Sequence, residues 1–404
     1  MSHSRTRVGA LLLAFCLLPA IAGSPASAED RLEAAPASLA GMEWRCVGPH
    51  VGNRGCTVAM HPTDKNVFFH GHSSGGLWKT EDSGQYWIPI GDKHFGTGSI
   101  GAMAVSPSNP DVMYVGTGEP QLRDCVSWGD GMYKTTDGGK TWSHIGLKNS
   151  RNIARVRVHP TNPDLVYVAV IGNPFGPSKD RGVYRTKDGG TTWEQVLFQH
   201  EQAGAIDLWL CEHDTNILYA STFEIFRRTW GLKAGGPNSR MFKSTDAGST
   251  WTDITENPGL PKGPLGRISV AHSKQMPERV NAMVESKEKP GFYRSEDGGK
   301  TWKHLSSHVG ITQRPFYYYH LHASPHDGNE LWVPTNKLWQ SLDGGKTWNQ
   351  RTGTKDDFHD LAFDPEDKGR MIVTHDGGAM VTRNRGVTWS QCYTQPNQQI
   401  YRIN

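Results

Sequence analysis

Five carboxyls lie in segments long enough to present them to a ligand: Glu119, Asp130, Asp356, Asp360 and Asp376. Cleaving a glycosidic bond takes two carboxyl groups about 5–9.5 Å apart, one of them kept protonated by its surroundings. These five are the candidates for such a pair. A second set is basic and aromatic. Arg54, Arg155 and Arg267 each open a short apolar segment, while Arg123, Arg181 and Arg314 share the intervening stretches with Trp128, Trp230, Tyr317 and His359. Guanidinium groups grip carboxylate or phosphate through paired N–H bonds, and aromatic faces suit sugars, peptides or cations. We read this set as ligand-binding; mutual neutralisation that ties neighbouring elements together is the competing reading. His359 with Asp356, Asp360 and Asp376, or His320 with His322, has metal-donor chemistry but no recognised spacing. No metal site is therefore assigned and no cofactor is expected. A serine nucleophile elbow, a phosphate-binding loop and a dinucleotide fingerprint are all missing from the sequence.

The elements that must position these residues come from a repeat. An octapeptide occurs as TEDSGQYW at 80–87, TTDGGKTW at 135–142, TKDGGTTW at 186–193, STDAGSTW at 244–251, SEDGGKTW at 295–302 and SLDGGKTW at 341–348, with a degenerate TRNRGVTW at 382–389. Its third positions are Asp82, Asp137, Asp188, Asp246, Asp297, Asp343 and Asn384. Each box reads as a hairpin corner: the hydroxyl and carboxylate replace lost ladder bonds, Gly takes a backbone angle other residues resist, and Trp buries a large ring. These acids are structural.

Ahead of each box stand two apolar segments separated by a Pro/Asn/Asp turn, as in VRVHP at 156–160 before LVYVA at 165–169. A third segment leads into the box and a fourth leaves through its Trp. Four antiparallel strands repeated seven times imply an all-β, seven-bladed β-propeller with the box between the third and fourth strands. The first strands then line a channel. Loops joining second to third strands, and one blade to the next, gather at one mouth; the boxes rim the opposite face. Three such loops are long: residues 116–130, with Glu119, Arg123, Asp124, Trp128 and Asp130; residues 171–181, with Asn173, Phe175 and Arg181; and residues 223–240, with Glu224, Arg227 and Trp230. Blade-to-blade connections add Tyr317, Tyr318, His320 and His322, then Asp356, Asp357, His359 and Asp360.

Composition agrees with a turn-rich β protein: 404 residues with 46 Gly, 24 Pro and 14 Trp. The formal charge of +3 falls near +1 without Arg5 and Arg7, too weak a field to gather nucleic acid. Residues 1–28 read as a signal peptide, with Arg5 and Arg7, an apolar run at 8–22 and the small residues Ala26, Ser27 and Ala28 before the cut. Residues 29–42 are a short leader and 43–404 one propeller. The expected location is secreted or periplasmic, with no membrane span in the mature chain. Without Cys16, five cysteines remain, an odd number in an oxidising compartment; Cys46 and Cys56 are close enough in sequence to pair. WRCVG at 44–48 resembles a fourth strand without its blade, and 398–404 resembles a first strand. Either these ends help close the ring or the chain is shortened at its C-terminus.

The octapeptides resemble the Asp-box, or bacterial neuraminidase repeat, of sialidases, sortilin-type receptors, photosystem assembly propellers and xyloglucan-specific glucanases. With GGLWKT at 75–80, GTGE at 116–119, GDG at 129–131, RGVYR at 181–185, RPFY at 314–317 and DGG at 376–378, the chain most resembles secreted bacterial sortilin-like, glycosyl hydrolase-related propellers. Two departures count against the enzymes of this group. The early Arg-Ile-Pro of sialidases is missing, and Ser73 stands where the xyloglucan-type enzymes carry an Asp before the first Gly-Gly. The expected function is a non-catalytic module binding a peptide, protein or carbohydrate ligand at the channel mouth. A glycoside hydrolase using paired carboxylates is the alternative, and an assembly scaffold stands third.

Overall fold

A computed structural model describes residues 52–351 and 356–397. The signal peptide and leader, Cys46, and the 44–48 and 398–404 segments lie outside the described residues. Seven antiparallel sheets follow in chain order, each built from consecutive strands. Their first strands are Gly55–Met60, Ile100–Val105, Ile153–Val158, Ala203–Leu210, Ile268–His272, His322–Ala323 and Phe358–Phe363. First strands of successive blades adjoin from blade 1 to blade 6, the second strand of blade 6 meets the first strand of blade 7, and that strand returns to the first, so the sheets close a ring of seven blades. No described helix is long and apolar enough to cross a membrane.

Radial stacking explains the residue patterns. Second strands such as Val166–Val170 and Val280–Val284 are buried along their whole length, because both faces of the sheet meet a neighbouring blade. They accordingly read as continuous apolar runs rather than as alternation. Fourth strands are two exposed residues long in four blades, at Ile88–Pro89, Ser143–His144, Thr252–Asp253 and Asn349–Gln350. Edges this short give another chain little to pair with. Blade 7 has three regular strands among the described residues, and Ser390 N–H to Val381 O (2.8 Å) supplies a fourth-strand bond. The 223–240 segment, expected as a loop, is instead a second hairpin: strand Leu218–Arg228 runs on past its blade and pairs with Gly231–Ala234, leaving Trp230 at the tip.

The boxes form as their composition demands. Thr80 Oγ1 donates to Asp82 Oδ1 (2.7 Å) and accepts from Gly84 N–H (2.9 Å), and Asp82 Oδ1 accepts Tyr86 N–H (2.9 Å). In the degenerate box Asn384 Oδ1 takes the same bonds from Thr382 Oγ1 and Thr388 N–H (both 2.9 Å), while its Nδ2 donates to Thr388 Oγ1 (2.8 Å). In blades 2 and 3 the box Trp also fastens blades: Trp142 Nε1 donates to Ile90 O (3.0 Å) and Trp193 Nε1 to Ile145 O (2.7 Å), each in the preceding blade.

Two features set the channel. Pairing slips by one residue near the start of the first strands of blades 1, 2, 3, 4 and 7, between Gly55/Thr57, Ile100/Ala102, Ile153/Arg155, Ala205/Asp207 and Phe358/Asp360. Such bulges re-aim the side chains that follow, here Arg155, Asp207 and Asp360. The other is the seam between blades 7 and 1. Arg370, fully buried, donates to Lys65 O (2.9 Å), Asp64 O (3.0 Å), Val67 O (2.9 Å) and His61 O (3.3 Å), pairs with Asp364 (2.9 Å) and lies 4.2 Å over the Phe68 ring.

Candidate functional site

The axis holds two cavities. One, about 200 Å³, lies at the loop-rich mouth and is lined by Arg54, Arg123, Arg314, Tyr317, Asp357 and Asp376, among others. The other, about 490 Å³, opens on the box face, where Arg157, Trp209, Glu212, His272, His322 and Asp360 contribute. Long loops mark only the first mouth in the sequence; the larger cavity belongs to the short turns between first and second strands.

Between them lies a buried charge network. Arg155 donates to Asp207 (3.1 Å), pairs with Asp360 (3.5 Å) and bonds His320. Asp207 also accepts from Ser269 Oγ (2.5 Å), and Asp360 accepts Val58 N–H (3.3 Å). Arg267 faces His320 Nε2 (2.8 Å) and donates to the carbonyls of Phe316 and Tyr317. Burial lowers the Arg267 pKa to about 9 and raises that of Asp360 against the pull of Arg155. Burial, reinforced by the surrounding arginines, holds His320 and His322 far below the usual imidazole range, so both are neutral. The arginines thus bind blade to blade, and cations on both sides make the His320/His322 pair a poor metal site. Asp207 is the participant that sequence reasoning missed; nothing in AGAIDLWL at 203–210 marks it, because the bulge that aims it is a pairing event.

At the loop-rich mouth Asp376 pairs with Arg54 (2.6 Å) and faces His359 Nε2 (3.4 Å). Arg54 also donates to the Tyr317 hydroxyl, which lies 3.1 Å from His359 Nε2, and His359 Nδ1 donates to Gly55 O (2.6 Å). Burial lowers the His359 pKa to about 3, keeping the ring neutral. Asp376, with a side chain 36% exposed, is raised to about 6, mainly by burial and further by Asp357 and Glu119, with Arg54 opposing. Asp357 stands beside it: its carbonyl accepts Asp376 N–H (3.1 Å) and its carboxylate takes the Tyr318 hydroxyl. Arg314 stacks 5.9 Å from the Tyr317 ring centre.

The other candidates are placed differently. Glu119 is fully buried and clamps its own loop through Arg123 (2.6 Å) and Ser127 N–H (3.2 Å). Asp130 is held by Tyr133 (2.7 Å) and Thr117 (3.2 Å) and lines neither axial cavity. Asp356 pairs with Lys337 on the surface. Asp360 faces the box-side cavity, so it and Asp376 serve opposite ends of the axis. Arg181 is fully buried and committed to Asn173 O (2.5 Å) and Gly176 O (3.2 Å). Trp128 and Trp230 are exposed on the loops of blades 2 and 4, with exposed Phe175 between them on blade 3, 6.2 Å from Trp128. Arg151 lies 4.0 Å over Trp128, and Arg228 5.4 Å from Trp230. Cys56 is a buried free thiol.

Fold and boxes together define a seven-bladed Asp-box β-propeller. Residues 75–203 match the Sortilin-Vps10 family, described as sortilin, neurotensin receptor 3. Over 341 residues the chain is 26% identical to a probable oligoxyloglucan-reducing end-specific xyloglucanase of Neosartorya fischeri, covering 72% of this chain and 38% of that protein. It is 23% identical to xyloglucanase Xgh74A of Acetivibrio thermocellus over 340 residues, 72% of this chain and 37% of the relative. The chain therefore spans well under half the length of these curated relatives. Among solved structures, the GH74 xyloglucanase from Xanthomonas campestris aligns with a TM-score of 0.62 at 16% identity, covering 86% of this chain and 55% of that one. YCF48 bound to D1 peptide aligns with a TM-score of 0.56 at 17% identity, covering 85% and 98%. At these identities the structural likeness shows the fold. The resemblance to sortilin-like and glycosyl hydrolase-related propellers holds; the expectation of a non-catalytic chain finds no support in curated relatives named as xyloglucanases.

Proposed function

We propose that this propeller engages a polysaccharide across its loop-rich face and cleaves it at the mouth, with Asp376 as the acid. The observation that carries the reading is Asp376 itself: a partly exposed carboxyl in a polar cavity, with its pKa raised to about 6. It can therefore hold a proton for a leaving oxygen under mildly acidic conditions. Asp357 is the neighbouring carboxyl able to act as base or nucleophile. Arg54, Tyr317 and neutral His359 fix the acid's position. Trp128, Phe175 and Trp230 present flat apolar faces on three successive blades, a row on which sugar rings can stack. The xyloglucanase names of the curated relatives support a carbohydrate substrate.

The test uses purified protein, xyloglucan and its oligosaccharides, with binding and reducing-end release read separately. Asp376→Asn should keep binding and lose release. Each exposed Trp contributes about 1 kcal/mol, so the Trp128→Ala/Trp230→Ala double variant should bind about 10- to 30-fold more weakly. Binding without any release would leave a glycan-binding module and remove the catalytic half of the proposal. No binding to any glycan would remove both halves.

A further inference from the structure

We infer that Cys211, His213 and His272 form a binding site for a single thiophilic divalent cation such as Zn²⁺, bridging blades 4 and 5 on the box face. One donor atom from each lies within 4.8 Å of the others, and among the described residues this is the one such trio of metal donors.

The site sits where the repeat breaks its own rule. At the end of the first strand six blades make the same turn, in which the residue entering it donates N–H to the carbonyl six positions on, as in His61 to Val67 and Cys211 to Ile217. In five of these the entering side chain also accepts a turn N–H. His61 Nδ1 takes Asp64 N–H (2.9 Å), Ser106 Oγ takes Asn109 N–H (3.3 Å), and His159 Nδ1 takes Asn162 N–H (3.2 Å). Ser324 Oγ takes His326 N–H (3.2 Å) and Asp364 Oδ1 takes Glu366 N–H (2.8 Å). Blade 4 puts Cys211 there, and a thiol is a weak acceptor. At the preceding position, blades 3, 4, 6 and 7 line the axial cavity with Val158, Leu210, Ala323 and Phe363; blade 5 puts His272 there. The two exceptions fall on adjacent blades and converge, and His213, two residues after Cys211, stacks on His272 with ring centres 4.8 Å apart.

His272 is held in place by a second bond. Its Nε2–H donates to Pro277 O (2.7 Å), which leaves a lone pair on Nδ1, and such a second bond is how metal-ligating imidazoles are held. Tetrahedral Zn²⁺ with one sulfur and two nitrogens places its donors about 3.3–3.7 Å apart. The widest donor separation must therefore close by up to about 1 Å on binding. Burial pushes the Cys211 thiol up to about 12, so without a cation it carries its S–H proton. Cation binding forms the metal–sulfur bond and releases that proton to solvent. Glu212 and Asp214 add negative potential, and Glu212 shares the box-side cavity with His272, which gives a carboxylate or a water access to the fourth position.

Metal-stripped, reduced protein titrated with Co²⁺ tests the inference. One equivalent should bind and give thiolate-to-cobalt charge-transfer absorption, displaced by Zn²⁺. The band should persist in Cys125→Ser, which removes the exposed thiol, and vanish in Cys211→Ser. His213→Ala changes an exposed side chain and should weaken Co²⁺ binding about tenfold or more with thermal unfolding of the metal-free protein unchanged. Absence of the band in folded wild-type protein, its survival in Cys211→Ser, or wild-type affinity in His213→Ala would each overturn the site.

Discussion

Replacing Arg370 by Met tests how the ring is closed. The guanidinium makes four bonds to carbonyls of the first blade and one to the fully buried carboxylate of Asp364. Methionine fills much of the volume but supplies none of these bonds. Asp364 keeps Lys65 (2.8 Å) and its two turn amides, so it is not stranded. Some freed carbonyls also have other donors: Val67 O accepts His61 N–H, and Lys65 O accepts Arg383 (3.2 Å). Removing one partner of a buried pair costs about 3–5 kcal/mol, and this partial compensation places the change toward the lower end. With an unfolding entropy of about 2.1 cal/mol/K per residue over roughly 350 residues, that cost lowers Tm by about 4–7 °C. Arg370→Lys keeps the charge but not the planar fork and should fall between. Tryptophan fluorescence on heating gives Tm, and hydrogen exchange locates the damage. Turns 61–67 and 364–370 should lose protection while blades 3 to 5 keep theirs. A Met variant melting within about 1 °C of wild type, with both turns as protected as before, would refute the claim that this residue fastens the seam.

The remaining predictions concern boxes and site. Gly345 has φ +89°, and a Cβ there would lie 2.0 Å from the Phe292 ring, so Gly345→Ala should destabilise by about 2–4 kcal/mol in thermal unfolding. Hydrogen bonds from the threonine hydroxyls and backbone amides depress Asp188, Asp246 and Asp297 to about 2. Their contribution is complete above the unfolded value of about 3.9 and is lost as pH falls toward 2. Tm should drop across that window, and less steeply in Asp188→Asn, since Asn384 shows that an amide can hold the corner. Asp376, raised to about 6, must be protonated to act as an acid, so glycan cleavage should fall as pH rises through 6. A rate rising through that pH would remove it from the acid role. The same shift makes the folded chain lose relative stability between about pH 3.9 and 6, a loss that Asp376→Asn should abolish.

Seven boxes, the strand count per blade and the two faces were legible because each rests on local chemistry repeated along the chain. The mouth was partly legible. Arg54, Tyr317, His359 and Asp376 do meet, because blade-to-blade connections must converge when a ring closes. What escaped was pairing. A one-residue bulge turns Asp207 and Asp360 inward, and no residue type announces it; Asp360 was grouped with Asp376 although the two face opposite cavities. Long segments misled in another way. Residues 223–240 looked like a loop, yet alternation in FEIFRR at 223–228 is strand-like, and Arg181 looked available until its loop folded over it.

The occupied axis has a consequence for how the two faces communicate. Among the described residues Arg155, Asp207, His320 and Asp360 lie locked together between the two cavities, so each end presents its own cup. A guest in one cup can inform the other through the field of those fixed ions or a shift in their shared bonds. Selection can therefore reshape the rings on the loop side without disturbing whatever the box side has learned to hold.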